Sequence, residues 1–189
     1  MEPLSRTQVL VAIGVTAVVL LLVAKLWLHL SQIAALPVKL LPIAFGQGIG
    51  LGLIITATSS LAYQFWGAYR QSADFYLKLV LKPLLLPDLI WLGLLPGLSE
   101  EFLFRGVMLP EFGLDLGGVL LSSLCFGAMH LSTLKQWAYV AWAMLIGVLL
   151  GLSAKWTGNL LVPIVAHVFT NVLSGVVWKW RERLIGQAH

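Results

Sequence analysis

The sequence predicts an all-α fold, a polytopic transmembrane helical bundle with about six membrane helices. Three observations point there. Hydrophobic residues make up 59% of the 189 positions. Charged residues make up only 11%, against about 25% in soluble domains. Apolar stretches of roughly 18–22 residues recur along the chain, about enough at 1.5 Å per residue to cross a ~30 Å hydrocarbon core. A water-soluble fold of this size has no means of hiding so much apolar surface.

The first span is read over residues 8–30. Its apolar run from Val9 to Leu30 is too long for the h-region of a signal peptide, and no small-x-small cleavage site follows, so it reads as a retained helix. Neither end carries a lipidation motif. The second span is read over 38–62 and contains Gly46, Gly48, Gly50 and Gly52. A phosphate-cradling loop needs a strand before it and a helix after it. Small residues four apart in an apolar helix instead let a neighbouring backbone approach closely. Residues 63–83 are more polar and rich in aromatics, which reads as an interfacial connector or an ordinary loop. A third element covers 84–110 and is interrupted near Pro96-Gly97; splitting it there is the alternative that gives seven helices. The fourth, fifth and sixth spans are read over 116–131, 137–153 and 159–179. The chain thus divides into N-terminal membrane helices with the connector (1–83), a core (84–180) and a tail (181–189).

Charge sets the orientation. With six spans, one side of the membrane holds Arg6, Arg70, Lys78, Lys82, Lys135, Lys179, Arg181 and Arg183; the other holds Lys39 and Lys155. By the positive-inside rule this puts both termini in the cytoplasm, in a bacterial-type cell membrane. The net charge of +4 therefore reads as a topology signal. No basic run with interleaved aromatics suggests a nucleic-acid partner. The single cysteine, Cys125, lies in an apolar run and reads as an inert packing residue.

Ionisable side chains inside a bilayer are costly and face the bundle interior. Three clusters stand out. In Ser99-Glu100-Glu101-Phe102-Leu103-Phe104-Arg105, Glu101 and Arg105 are four apart and share a helix face. Glu100 sits about 100° around the helix and has no local partner, which suits a general base. In Phe126-Gly127-Ala128-Met129-His130, the ring and the imidazole share a face. His167 and Asn171 project together from the last span, four residues beyond Pro163, which is expected to kink the helix. Measured from the 110–116 loop side, Glu100 lies ~15 Å deep, His130 ~21 Å, His167 ~12 Å and Asn171 ~18 Å, so all four can converge near mid-membrane. Structural readings compete with this: a polar knot at Glu100, Glu101 and Arg105, a packed histidine at 130, and interhelical hydrogen bonds from His167 and Asn171.

The pattern Glu-Glu-x-x-x-Arg, then Phe-x-x-x-His, then His-x-x-x-Asn resembles the CAAX protease and bacteriocin-processing (CPBP) family, which includes the type II CAAX prenyl endopeptidases. The resemblance covers about residues 84–180. It implies an intramembrane endopeptidase acting on a peptide or protein substrate in or at the membrane. Glu100 and His130 would activate a water. His167 and Asn171 would hold the oxyanion of the tetrahedral intermediate. Glu101, Arg105 and Phe126 would support the site. No cofactor is expected; if a divalent metal such as zinc is used, Glu100, His130 and His167 are the candidate ligands. The alternatives are a non-catalytic immunity or assembly protein of the same family and a small proton-coupled transporter.

Overall fold

Helix α1 (Arg6–Ser31) begins at Ser5, whose hydroxyl accepts the backbone N–H of Gln8 while the Gln8 side chain accepts the N–H of Ser5. This reciprocal cap satisfies two donors that a helix start leaves open. In the computed structural model, which describes residues 4–186 with side chains as far as Leu184, six further helices follow. They are α2 (Pro42–Phe65), α3 (Gly67–Leu81), α4 (Leu86–Phe112), α5 (Leu116–Ala128), α6 (Trp137–Thr157) and α7 (Leu161–Gly186). No strand occurs among the described residues. The outermost three residues at each end of the expected N-terminal and tail segments lie outside the described residues.

Helices α1, α2, α6 and α7 are each long and apolar enough to cross a membrane. Their outward side chains, such as Val11, Val15, Leu22 and Leu26 on α1 and Ile43 and Ile54 on α2, stay exposed as lipid-facing residues do. The chain is an integral membrane protein by this measure. Helix α5, with 13 residues, is shorter than a full span. It is about 20 Å long and packs one face against α6 and α4, while Leu116, Leu120, Leu121 and Leu124 on the other face stay exposed.

Three expectations need correction. The connector 63–83 is not a loop: α3 is a helix that meets α4 at a bend of 108° and buries Tyr69, Ser72 and Ala73. Second, Pro96 does not split the third element, since the α-helix runs through it from Leu89 to Glu101. The irregularity comes later, where Phe102–Met108 widens into a π-helical stretch. That widening frees a carbonyl, and the N–H of Leu36 donates to Gly106 O at 2.9 Å. Third, Pro163 does not sit mid-helix. It lies in the first turn of α7, where a missing N–H removes no helical bond and no kink is needed. The expected tail from residue 181 continues α7 as helix to Gly186.

Helix α7 is gripped on two sides by small residues. A Cβ on Gly48 of α2 would stand 2.6 Å from Val165 Cβ, and one on Gly52 would stand 3.0 Å from Ala166 O. From α4, a Cβ on Gly93 would stand 3.0 Å from Val168 O, and one on Gly97 would stand 3.1 Å from Val168 N. Backbones this close leave no room for even a methyl, and dispersion across the seam replaces the hydrophobic effect that lipid does not supply. Gly46 and Gly50, on the other side of α2, meet nothing within 4 Å. Gly48→Leu is therefore expected to cost about 1–3 kcal/mol of overpacking, and Gly50→Leu close to nothing; thermal unfolding of the two purified variants in one detergent makes the comparison.

Loop contacts confirm the up-and-down order. At one end the Arg6 guanidinium holds Asp88 with two 2.7 Å bonds, and Tyr76 reaches His130. At the other, Leu160 N–H donates to Pro37 O, and Asn159 clamps Lys39 through both its amide atoms.

Candidate active site

Glu101 and Arg105 are completely buried (0% exposed) and bonded to one another, Arg105 Nη1 to Glu101 Oε1 at 2.8 Å. The one-turn spacing on α4 brings them together, and isolation from water makes each obligatory for the other. Arg105 Nη2 also donates to Gly147 O of α6 at 2.9 Å. A Cβ at Gly147 would stand 3.2 Å from that nitrogen, so glycine keeps the approach open. The guanidinium lies over the Phe126 ring, Cζ 4.3 Å from its centroid, a cation–π contact strengthened by the absence of water.

The same Glu101 Oε1 accepts from His167 Nδ1 at 2.7 Å. A carboxylate facing both a guanidinium and an imidazole only accepts, so Nδ1 carries the proton and Nε2 is the ring nitrogen left for other chemistry. His130 is held the same way: its Nδ1 lies 2.9 Å from Phe126 O one turn back, again a proton donor to a carbonyl. Its own carbonyl accepts the Tyr76 hydroxyl at 2.6 Å. Phe126 sits between the two imidazoles, 5.0 Å from the His130 ring and 5.9 Å from the His167 ring. Two histidines, one in the turn after α5 and one on α7, thus have fixed tautomers and share one aromatic wall.

Glu100 stands apart from this network. It is 8% exposed, and its Oε2 has no hydrogen-bond partner within the protein. A carboxylate so placed is expensive to bury unless it faces something polar. It lines a cavity of about 1010 Å³ whose wall also includes Phe126, His130, His167 and Asn171. The four residues expected to converge do line one cavity, and Phe126, Glu101 and Arg105 form its support. Among the described residues no group of three His, Cys, Asp or Glu side chains stands close enough to hold an ion. Cys125 is free, packs against the core cluster that contains Phe104 and Phe126, and does not line the cavity.

Some site residues are not signalled by sequence. Tyr139 of α6 lies 4.5 Å from Tyr76 and 6.0 Å from His130, ring to ring, and closes the wall behind the imidazole. Tyr76 belongs to the connector, where its aromatic character signalled an interface and nothing more. The Gly147 carbonyl carries no side-chain signal at all. The cavity continues from Glu100 to exposed cations at the Arg6 end of the bundle, Arg70 of α3 and Arg181 of α7. Arg181 Cζ stands 5.3 Å over the Tyr63 ring, and among the described residues neither arginine makes a salt bridge.

Fold and site together define a helical integral membrane protein with a buried glutamate–histidine centre. Residues 82–173 match the family described as type II CAAX prenyl endopeptidase, Rce1-like. The matched segment carries every residue of the three motifs, from Glu100 to Asn171. The chain is also 32% identical over 120 residues to the uncharacterized protein YpbD of Bacillus subtilis (strain 168). That alignment spans 64% of this chain and 61% of YpbD. No solved structure matches the chain.

Proposed function

We propose that the protein is an intramembrane endopeptidase of the CAAX prenyl protease type, cutting a membrane-associated or lipidated peptide near its C-terminus. The observation that carries this reading is the unpartnered Glu100 carboxylate oxygen on a cavity wall shared with His130, His167 and Asn171. In this reading Glu100 takes a proton from a water that His130 Nε2 helps to position, and the resulting hydroxide attacks the peptide carbonyl carbon. The carbonyl oxygen becomes an oxyanion. The Asn171 amide donates to it, and so does His167 when its Nε2 also carries a proton, a form that the Glu101 carboxylate supports. Glu100 then returns the proton to the leaving nitrogen as the C–N bond breaks. This sequence needs no metal ion. The eight basic residues at the Arg6 end support placing that end, with both termini, in the cytoplasm.

The unpaired Arg70 and Arg181 suggest how substrate is held. Arg181 lies ten residues beyond Asn171 on α7, or ~15 Å. An extended peptide rises about 3.3 Å per residue. After allowing for the reach of an arginine side chain, a carboxylate about three or four residues beyond the scissile bond would meet the two guanidinium groups. The test is a panel of quenched peptides, free acid and C-terminal amide, with and without a lipidated cysteine, presented to the protein in liposomes and read by mass spectrometry of the products. Arg70→Gln/Arg181→Gln is expected to raise KM for the free acids about tenfold or more, with little change in kcat, and to leave the amides unaffected. If no peptide in the panel is cut by the wild-type protein, the protease reading is lost.

A further inference from the structure

A further cavity lies outside the candidate active site, where the α3–α4 bend meets the end of α7. It encloses about 280 Å³. Its cations are Lys82 from the bend and Lys179 and Arg183 from α7. Its apolar wall includes Leu85 and Leu86, 54% and 41% exposed, beside the Trp178 ring. We propose that this is a binding site for one anionic phospholipid, its phosphate among the three cations and an acyl chain along the leucines.

Four observations support this occupant. Lys179 is not free to sweep the surface: its Nζ donates to the backbone carbonyl of Lys82 at 3.2 Å and stands 5.6 Å from the Trp178 ring centroid. It therefore bridges the bend and α7 with two donor positions still open. Second, Glu182 lines the same cavity, yet among the described residues no salt bridge joins it, or any other acid, to Lys82, Lys179 or Arg183. Three cations held around a shared concavity repel one another, and an anion there relieves the repulsion. Third, the nearest carboxylate on the bend, Asp88, is already taken by Arg6 through two 2.7 Å bonds. Fourth, the exposed leucines line the same cavity as the cations, so head and tail chemistry meet in one place. A soluble anion would use the cations alone; a phospholipid uses both. Basic pockets at the cytoplasmic ends of membrane helices take anionic headgroups for these reasons, each Lys or Arg strengthening the attraction.

The experiment uses the full chain in mild detergent, titrated with phosphatidylglycerol or phosphatidylcholine and read by native mass spectrometry. One phosphatidylglycerol is expected to be retained at least tenfold more tightly than phosphatidylcholine. Lys82→Gln/Arg183→Gln is expected to weaken it about 25-fold, at roughly fivefold per charge removed. Lys78→Gln/Lys135→Gln, which removes the same charge elsewhere at that end, is expected to leave it within about twofold. Lys179 is kept in both variants because it ties the bend to α7, and circular dichroism confirms that each is folded. Equal retention of the two lipids overturns the proposal, as does equal weakening by both double variants. Displacement of the lipid by millimolar inorganic phosphate, or by an acidic peptide at similar concentration, overturns it too, since the cations would then be a bare anion site. Because the readout is lipid retention, it stands or falls independently of any peptidase activity.

Discussion

Replacing Glu100 by glutamine is expected to lower peptide cleavage by about 10²–10⁴-fold, the usual contribution of a positioned acid–base group. The variant should nonetheless be as stable as the parent, or more so. Glutamine keeps the shape and removes a buried negative charge whose Oε2 has no partner within the protein. Loss of activity with a gain or no change in the thermal midpoint is the signature of a functional carboxylate. A structural one would lose both. The measurement is turnover of the best peptide of the panel in liposomes, beside thermal unfolding in detergent. Retention of more than about a tenth of parental turnover by this variant would remove Glu100 from the mechanism.

Arg105→Met is expected to act on the other side of the balance. It strands the Glu101 carboxylate at 0% exposure with His167 as its remaining partner, and breaking a buried pair in this way costs about 3–5 kcal/mol. For a chain of this size that is about 6–20 °C in thermal midpoint. Glu101→Leu/Arg105→Met removes both charges and should recover much of the loss, because well-packed apolar residues often replace a buried pair without penalty. Its activity should stay low all the same. His167 Nδ1 would have lost the acceptor that sets its tautomer, and the Phe126 ring would have lost the cation above it. A double variant no more stable than Arg105→Met would show that the two residues are not energetically coupled.

Both results follow from how the two adjacent glutamates are divided. One turn of sequence places Arg105 beneath Glu101 and leaves Glu100 facing another way. The buried network holds Glu101 through its Oε1, bonded to Arg105 of α4 and His167 of α7, and leaves its Oε2 without a partner; what sets Glu100 apart is that it lines the cavity. The small-residue seams at Gly48, Gly52, Gly93 and Gly97 then hold α7 where His167 reaches Glu101.

Much of this was determined by the amino-acid order alone. Apolar run lengths specify membrane helices, because a bilayer demands about 20 residues per crossing and full backbone hydrogen bonding within each. Spacings of four place Glu101 with Arg105, Phe126 with His130, and His167 with Asn171, because α-helical periodicity is local. Counting residues to the nearest loop sets only an expected depth for each polar group. What counting does not contain is how the helices are rotated and which of them touch. Only the tertiary structure decided that His167 bonds Glu101 rather than Glu100, that Tyr76 and Tyr139 stand behind His130, and that Gly147 offers Arg105 its carbonyl. It also turned the aromatic connector into a helix bent by 108° from α4. These are contacts between residues far apart in sequence, and their energies come from close packing and desolvation, which depend on every neighbour at once and leave no periodic trace in one segment.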